Sequence, residues 1–221
     1  MSEPMSEPHA VEAGSMTSPG RLVATLGGLG AFAGLLIVLA FGATQPAIRA
    51  HRAAVLAEAI TEVLGEPERY DTLYVVGGSL VTTPPPGVPL EDAEAVFLGY
   101  RDGAPVGFAI RAAKAGFQDT ISLLFGYDPA TSRLLGMKVL ESKETPGLGD
   151  KIYKDMRFVG AFRDVEVPLL GVKAGGEKGL PGEIVMITGA TISSRTIIKA
   201  INTELERLRP VLSTYKQEPK P

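Results

Sequence analysis

The segment Thr188-Gly189-Ala190-Thr191-Ile192-Ser193-Ser194 combines hydroxyl groups and two minimal side chains where a strand-like run gives way to a helical one. Unpaired N–H groups at a helix start, together with the helix dipole, favour a negatively charged ligand such as phosphate. Gly189 and Ala190 allow the backbone to approach such a ligand closely. Thr191 would then present a hydroxyl that contacts the phosphate or is esterified by it. A capped helix without any ligand explains the same residues equally well, because Ser and Thr are common N-cap residues.

A second segment, Glu144-Thr145-Pro146-Gly147-Leu148-Gly149-Asp150, follows closely on a predicted strand at 134–140. Pro followed by Gly favours a fixed turn, and the second Gly allows another unusual backbone angle. We therefore expect Glu144 and Thr145 to be displayed at a sheet edge on a rigid loop. A turn without a ligand is the alternative interpretation.

The composition excludes several kinds of site. The chain of 221 residues has no Cys, and its two His, His9 and His51, lie in the N-terminal tail and just past the apolar segment. A disulfide framework, a thiolate zinc site and iron–sulfur ligation are thereby excluded, and no metal site is predicted. The net charge of -3 indicates no nucleic-acid partner. A redox role would have to use an organic cofactor.

The N-terminal region contains a predicted membrane anchor. No charged residue occurs between Leu22 and Ile48, which predicts a transmembrane helix over residues 21–45 that lies in the lipid bilayer. A cleaved signal peptide is the less favoured alternative, because the apolar stretch is long for one. Residues 1–20 repeat Met-Ser-Glu-Pro and are predicted to be a disordered tail.

The charges that flank the anchor are few. Arg21 precedes it, and Arg49 and Arg52 follow it. Taken alone, the positive-inside rule slightly favours a cytoplasmic location of the globular domain, because two arginines follow the anchor and one precedes it.

The remaining pattern predicts an α+β fold, in which helices pack on an antiparallel sheet. A juxtamembrane helix at 46–70 leads into a domain at 71–209, and a polar tail covers 210–221. The predicted elements are hairpins at 95–101 with 105–112 and at 120–127 with 134–140, a helix at 151–162, strands at 165–172 and 184–187, and a helix at 193–208 that Pro210 ends. Neither a dinucleotide-binding fingerprint nor a P-loop is present.

The two motifs, in this order behind one N-terminal anchor, resemble a known family over residues 22–208. The chain is similar to the G subunit of the Rnf-type electron transport complex, an FMN-binding domain family. It also resembles the C subunit of the sodium-translocating NADH:quinone reductase. The sequence departs from the family pattern at Val185, because the family usually has an acidic residue three positions before Thr188; the nearest acid here is Glu183.

The resemblance implies a specific cofactor site. Thr191 would carry FMN through a phosphoester bond, which a separate flavin transferase forms by taking FMN from FAD. The phosphate and ribityl chain would be surrounded by Thr188, Gly189, Ala190, Ser193 and Ser194. The isoalloxazine ring would be lined by Glu144, Thr145 and Leu148.

The resemblance also implies a function and a location. The chain would be a membrane-anchored flavoprotein subunit that relays electrons between reduced ferredoxin and NAD, together with other membrane subunits of an ion-translocating complex. Its soluble domain would lie on the periplasmic side of the inner membrane, against the slight lean of the flanking charges. The alternatives are a flavin subunit of a quinone reductase, a free-standing extracytoplasmic FMN carrier, and a scaffold without flavin.

Overall fold

The computed structural model describes residues 18–90 and 92–215. The chain divides into two compact units, Met1–Arg52 and Ala53–Pro221. The predicted disordered tail lies outside the described residues, apart from its last three positions. The last six residues of the chain lie outside them as well.

Helix α1, Pro19–Val63, begins in the first unit. It is long and apolar enough to cross a membrane, and its apolar window is exposed throughout. The sequence predicted two helices separated near Pro46, whereas Pro46 lies inside one helix of 45 residues. Pro46 removes a single N–H donor, and its neighbours Gln45 and Ala47 are both favourable helix formers, so the helix continues.

The second unit contains a seven-stranded antiparallel sheet in the order β2-β1-β3-β4-β5-β6-β7. Its strands are β1 Arg69–Val76, β2 Ser79–Val81, β3 Ala95–Arg101, β4 Ala104–Ala115, β5 Thr120–Asp128, β6 Arg133–Glu141 and β7 Val165–Glu166. Two further strands, β8 Leu170–Lys173 and β9 Glu183–Met186, pair in parallel. The helices that follow α1 are α2 Lys151–Lys154, α3 Met156–Gly160 and α4 Thr191–Thr214.

Both predicted hairpins are present in the sheet, which confirms the α+β class. Asp102 and Gly103, between β3 and β4, both have positive φ, 51° and 75°. A two-residue turn of this kind matches the twist of antiparallel strands.

Helices cover the two faces of the sheet. The apolar stripe of α4, which includes Ile197 and Ile201, packs in one cluster with Leu123 and Phe125 of β5. Leu124 points to the opposite face and packs in a second cluster with the end of α1. Because β5 is buried on both faces, its sequence is a continuous apolar run and does not alternate.

Two predicted elements are each divided in the structure. The helix expected at 151–162 is divided into α2 and α3, because Asp155 is extended and caps α3 by accepting a hydrogen bond from the N–H of Arg157 at 3.0 Å. The strand expected at 165–172 contributes to both sheets, as β7 and β8, with Pro168 between them. Proline lacks the N–H that a continuous ladder needs.

Helix α4 is longer than predicted at both ends. It begins at Thr191 and continues through Pro210 to Thr214. Leu208 and Leu212 are both buried in the core on either side of Pro210. Packing therefore maintains the helix where proline alone predicted its end, and part of the predicted polar tail is helical.

Gly126 and Gly136 are paired across β5 and β6 and provide a matched test of the packing of α1 on the sheet. A Cβ at Gly126 would lie 2.2 Å from the carbonyl oxygen of Val63, whereas at Gly136 the nearest atom is 3.6 Å away. We expect Gly126→Ala to lower the free energy of unfolding by about 1–3 kcal/mol, as for other overpacked sites. Gly136→Ala should leave it nearly unchanged. Chemical denaturation of the detergent-solubilised chain measures both, and equal stability of the two variants would contradict this packing.

Candidate functional site

Strand β9 leads through a short turn directly to the start of α4. Ile184 and Met186 are buried and anchor the strand. Gly189 has φ +86°, a left-handed conformation that glycine adopts without strain. The N–H of Ala190 donates to the carbonyl of Ile187 at 3.0 Å and closes the turn. Thr191 is consequently the first residue of the helix.

The start of α4 has no side-chain cap. The N-cap position is occupied by Ala190, which has no side-chain hydrogen-bonding group. The first backbone hydrogen bond of the helix runs from the N–H of Ser194 to the carbonyl of Ala190 at 2.9 Å. In the described part of the chain, the N–H groups of residues 191–193 have no hydrogen-bond acceptor. Three backbone donors at the positive end of a 24-residue helix are thus available to an anion.

The hydroxyl of Thr191 is also available. Its side chain is partly exposed, and Oγ1 lies 3.4 Å from the carbonyl oxygen of Ile187, which is a long hydrogen bond. Thr188, two residues before the helix N-cap, is exposed.

The two serines of the motif are buried and hold the turn in place. The Ser194 hydroxyl accepts from the N–H of Ile187 at 3.2 Å and donates to the carbonyl of Ala190 at 2.9 Å. Ser193 is 2% exposed and donates to Glu144 Oε2 at 2.5 Å. Their hydroxyls are engaged within the protein.

Glu144 joins three segments of the chain. It is 5% exposed. Oε1 accepts from the N–H groups of Phe117 at 2.9 Å and Gln118 at 3.0 Å, in the loop between β4 and β5. Oε2 accepts from Ser193, in the first turn of α4. The expectation that Glu144 is displayed at the sheet edge is therefore wrong, because its carboxylate is turned inwards to satisfy donors from two other segments.

Two glycines make room for this carboxylate. A Cβ at Gly116 would lie 2.4 Å from Glu144 Oε1, and one at Gly149 would lie 2.6 Å from Glu144 Cβ. Real Cβ atoms do not approach so closely, so a larger residue at either position would displace the carboxylate.

The hydrogen bonds also set the charge of the site. Burial raises the pKa of Glu144, but the hydrogen bonds from Ser193 and from the amides of Gln118 and Phe117 outweigh it and hold the pKa below the ordinary value of 4.5. The group is therefore an ionised carboxylate at neutral pH.

Thr145 and Leu148 bring the second motif to the first. The carbonyl of Thr145 accepts from the N–H groups of Leu148 at 3.2 Å and Gly149 at 2.9 Å, which forms a tight turn. This turn leaves the Leu148 side chain 50% exposed. Leu148 Cδ2 lies 3.7 Å from the position that a Cβ on Gly189 would take.

An open cleft of about 780 Å³ adjoins the turn after β9. Its lining includes the charged side chains of α2 and α3 together with Val185 and Thr188. Glu183, the acid nearest to Val185, accepts hydrogen bonds from the backbone N–H groups of Lys178 and Gly179, each at 3.0 Å. That carboxylate is therefore committed to holding the loop before β9.

The structure brings the nine predicted site residues together around the start of α4. The accessible ones are Thr145, Leu148, Thr188, Gly189 and Thr191; the buried ones are Glu144, Ala190, Ser193 and Ser194. Sequence reasoning missed the loop at 116–118, for which a glycine beside an aromatic residue in a hairpin loop was the only signal. Within the described ranges, no cluster of three or more His, Cys, Asp or Glu could hold a metal.

The ionised Glu144 makes stability depend on pH. Because its folded pKa is lowered, its contribution is present above its unfolded pKa of about 4.5 and is lost as pH falls through the lower folded value. We expect Glu144→Gln to lower the free energy of unfolding by about 2 kcal/mol at pH 7, and the difference from the wild type to shrink below pH 4.5. The exposed Glu206→Gln is the control, and denaturation curves at several pH values measure all three proteins. A difference for Glu144→Gln that persists at low pH would contradict this role.

Comparisons with known proteins identify the family. Residues 116–206 match the model of the FMN-binding domain. The chain is 28% identical to the G subunit of the ion-translocating oxidoreductase complex of Methanosarcina acetivorans, over 84% of this chain and 92% of that protein. It is 32% identical to the corresponding G subunit of Yersinia pestis, over 74% of this chain and 79% of that protein. It is 31% identical to the G subunit of Escherichia coli K12, over 69% of this chain and 73% of that protein.

Solved structures support the fold. The structure of NqrC from Shewanella oneidensis superposes with a TM-score of 0.62 at 14% identity, and covers 75% of this chain and all of that one. The C subunit of the Na⁺-translocating NADH-quinone reductase from Parabacteroides distasonis superposes with a TM-score of 0.54 at 20% identity, and covers 68% of this chain and 80% of that one. At these identities the likeness concerns the fold alone. The sequence identity to the curated relatives carries the assignment: this chain belongs to the family of G subunits of ion-translocating oxidoreductase complexes.

Proposed function

We propose that this chain is a membrane-anchored electron-transfer subunit that carries FMN as a phosphoester of Thr191. The observation that carries the proposal is the uncapped start of α4, where the hydroxyl of a partly exposed threonine lies beside three free backbone donors. The match of residues 116–206 to the FMN-binding domain supports the identity of the ligand.

The residues at the start of α4 fit the phosphate of FMN. The N–H groups of residues 191–193 would donate to its oxygens, and the helix dipole would stabilise its negative charge. Gly189 lets the backbone bend towards the ligand without a side chain in the way. Thr188 is exposed next to the turn and can add a hydroxyl donor.

Attachment requires one phosphoryl transfer. The Thr191 Oγ–phosphorus bond forms while the pyrophosphate bond of FAD breaks, AMP leaves, and the hydroxyl proton is released. In the described part of the chain, the hydrogen-bond partner of Thr191 Oγ1 is the carbonyl of Ile187, which cannot act as a general base. A separate flavin transferase would therefore supply this chemistry.

Bound FMN supplies reversible electron transfer, which the protein side chains lack. The chain's own residues position the cofactor. Leu148 offers an exposed apolar side chain beside Gly189, and Thr145 is partly exposed on the same loop. Glu144, which was expected to line the ring, would act by fixing the segments that do, since its own oxygens are engaged.

The proposed setting is a complex of several membrane subunits. Residues 21–45 of α1 would cross the lipid bilayer of the inner membrane, and residues 71–209 would form the FMN-binding domain on the periplasmic side. The relatives are named as subunits of ion-translocating oxidoreductase complexes, which supports a role in electron transfer. Electron relay between reduced ferredoxin and NAD is the role that we propose for the whole complex.

One observation favours a second candidate, a scaffold protein without flavin. Val185 stands where the resembled family has an acidic residue, it lines the cleft beside Thr188, and Glu183 is committed elsewhere. If the flavin transferase needs that carboxylate, Thr191 would remain unmodified.

Covalent attachment is tested by co-expression with a flavin transferase and a denaturing gel viewed under ultraviolet light. The wild type should give a fluorescent band, Thr191→Ala should give none, and the matched control Thr188→Ala should retain the band. A fluorescent Thr191→Ala would refute the assignment of the residue. A dark wild type would favour the scaffold.

Orientation is tested with reporters fused after Pro221. If the domain is periplasmic, as we propose, a fused alkaline phosphatase should be active and a fused green fluorescent protein should be dark. The reverse pattern would place the domain in the cytoplasm, as the charges that flank the apolar segment alone suggest.

A further inference from the structure

We infer that the side chain of Phe117 contacts the isoalloxazine ring of the bound flavin, and that the loop at 116–118 is built to present it there. This inference rests on the proposed function. It adds a third segment of the chain to a site that the sequence placed on two motifs.

Phe117 has an unusual environment for a phenylalanine of this fold. Its side chain is 68% exposed. All the other phenylalanines of the second unit are buried: Phe97, Phe108, Phe125, Phe158 and Phe162. An aromatic ring left in water forgoes the free energy that burial would provide, so an occupant that covers it is favoured.

The exposure of Phe117 does not come from a loosely held backbone. The N–H of Gly116 donates to the carbonyl of Asp119 at 2.8 Å. The N–H groups of Phe117 and Gln118 both donate to Glu144, and the Gln118 side chain accepts from Thr145 Oγ1 at 3.1 Å. These hydrogen bonds fix the backbone of the loop, while the side chain of Phe117 remains mostly exposed.

The fixed loop lies next to the start of α4. A single carboxylate group separates the amide of Phe117 from the hydroxyl of Ser193. Leu148 and Ile192 are each 50% exposed; the first lies against Gly189 and the second directly follows Thr191. Phe117, Leu148 and Ile192 are thus three exposed apolar side chains on segments that meet at the start of α4, and together they are called the apolar group.

A flavin tethered at Thr191 could place its ring against this apolar group or in the cleft beside Thr188. The cleft is lined by five charged residues, two of which are Lys154 and Arg157, by six apolar residues, among them Phe158 and Val185, and by Thr188; its lining does not include Phe117, Leu148 or Ile192. A ring in the cleft would cover charged side chains together with apolar ones, and covering the charged ones costs desolvation free energy, whereas the apolar group offers apolar surface alone. Aromatic rings also pair favourably in stacked or edge-to-face geometry. The Phe117 side is therefore favoured.

The absence of tryptophan from this chain allows a direct test. Tryptophan in contact with a flavin quenches its fluorescence by electron transfer, and phenylalanine does not. Three variants, Phe117→Trp, Val185→Trp and Val81→Trp, are expressed in the full chain with the flavin transferase. Val185 reports on the cleft. Val81 on β2 is the control outside both positions, and its exposure of 37% is close to the 39% of Val185.

We expect the flavin fluorescence of Phe117→Trp, per covalently bound flavin, to fall severalfold below that of both other variants, with a shortened lifetime. Phe117→Tyr, also a quencher, provides a second reading if the tryptophan variant is poorly flavinylated. Fluorescence of the Phe117 variants that is no lower than that of the controls overturns the inference. Quenching in Val185→Trp alone does so too, and places the ring in the cleft. Loss of covalent flavin from the wild type would instead refute the proposed function, and the denaturing gel distinguishes the two failures.

Discussion

The buried carboxylate of Glu144 is the interaction on which the rest of the site depends. One oxygen is satisfied by two backbone amides of the loop at 116–118 and the other by the hydroxyl of Ser193. A buried charge is tolerated only when its hydrogen bonds are made. The carboxylate therefore holds the three segments together. Gly116 and Gly149 are part of the same constraint, because neither position has space for a side chain.

The helix that this carboxylate fixes has two roles. The buried stripe of α4 covers one face of the sheet, while its first turn leaves its N–H donors and the Thr191 hydroxyl open. An anion site at the start of a core helix is rigid without any further device, because moving the donors would disturb the packing of residues such as Ile197 and Ile201. This arrangement suits the proposed role of holding a cofactor in one place.

Much of this could be predicted from the sequence, for identifiable reasons. The hairpins could be predicted from the turn residues between their strands, Asp102-Gly103 in the first hairpin and residues 128–133 in the second, which are local signals. The two motifs were found because glycine and hydroxyl residues at a strand–helix junction have a local chemical meaning. The inward turn of Glu144 could not be predicted, since it depends on amides at 117 and 118 that are distant in the sequence. The division of the 151–162 helix at Asp155 and the passage of α4 through Pro210 were missed because tertiary packing and capping overrode the local propensities.

The central claim is that Thr191 bears the flavin, and the most direct measurement is tandem mass spectrometry of the chain purified from its native membrane. The peptide that contains Thr188 and Thr191 should carry the mass of FMN less one water, with fragment ions that assign the modification to Thr191. An unmodified peptide, or fragments that place the flavin on Thr188, would contradict the account.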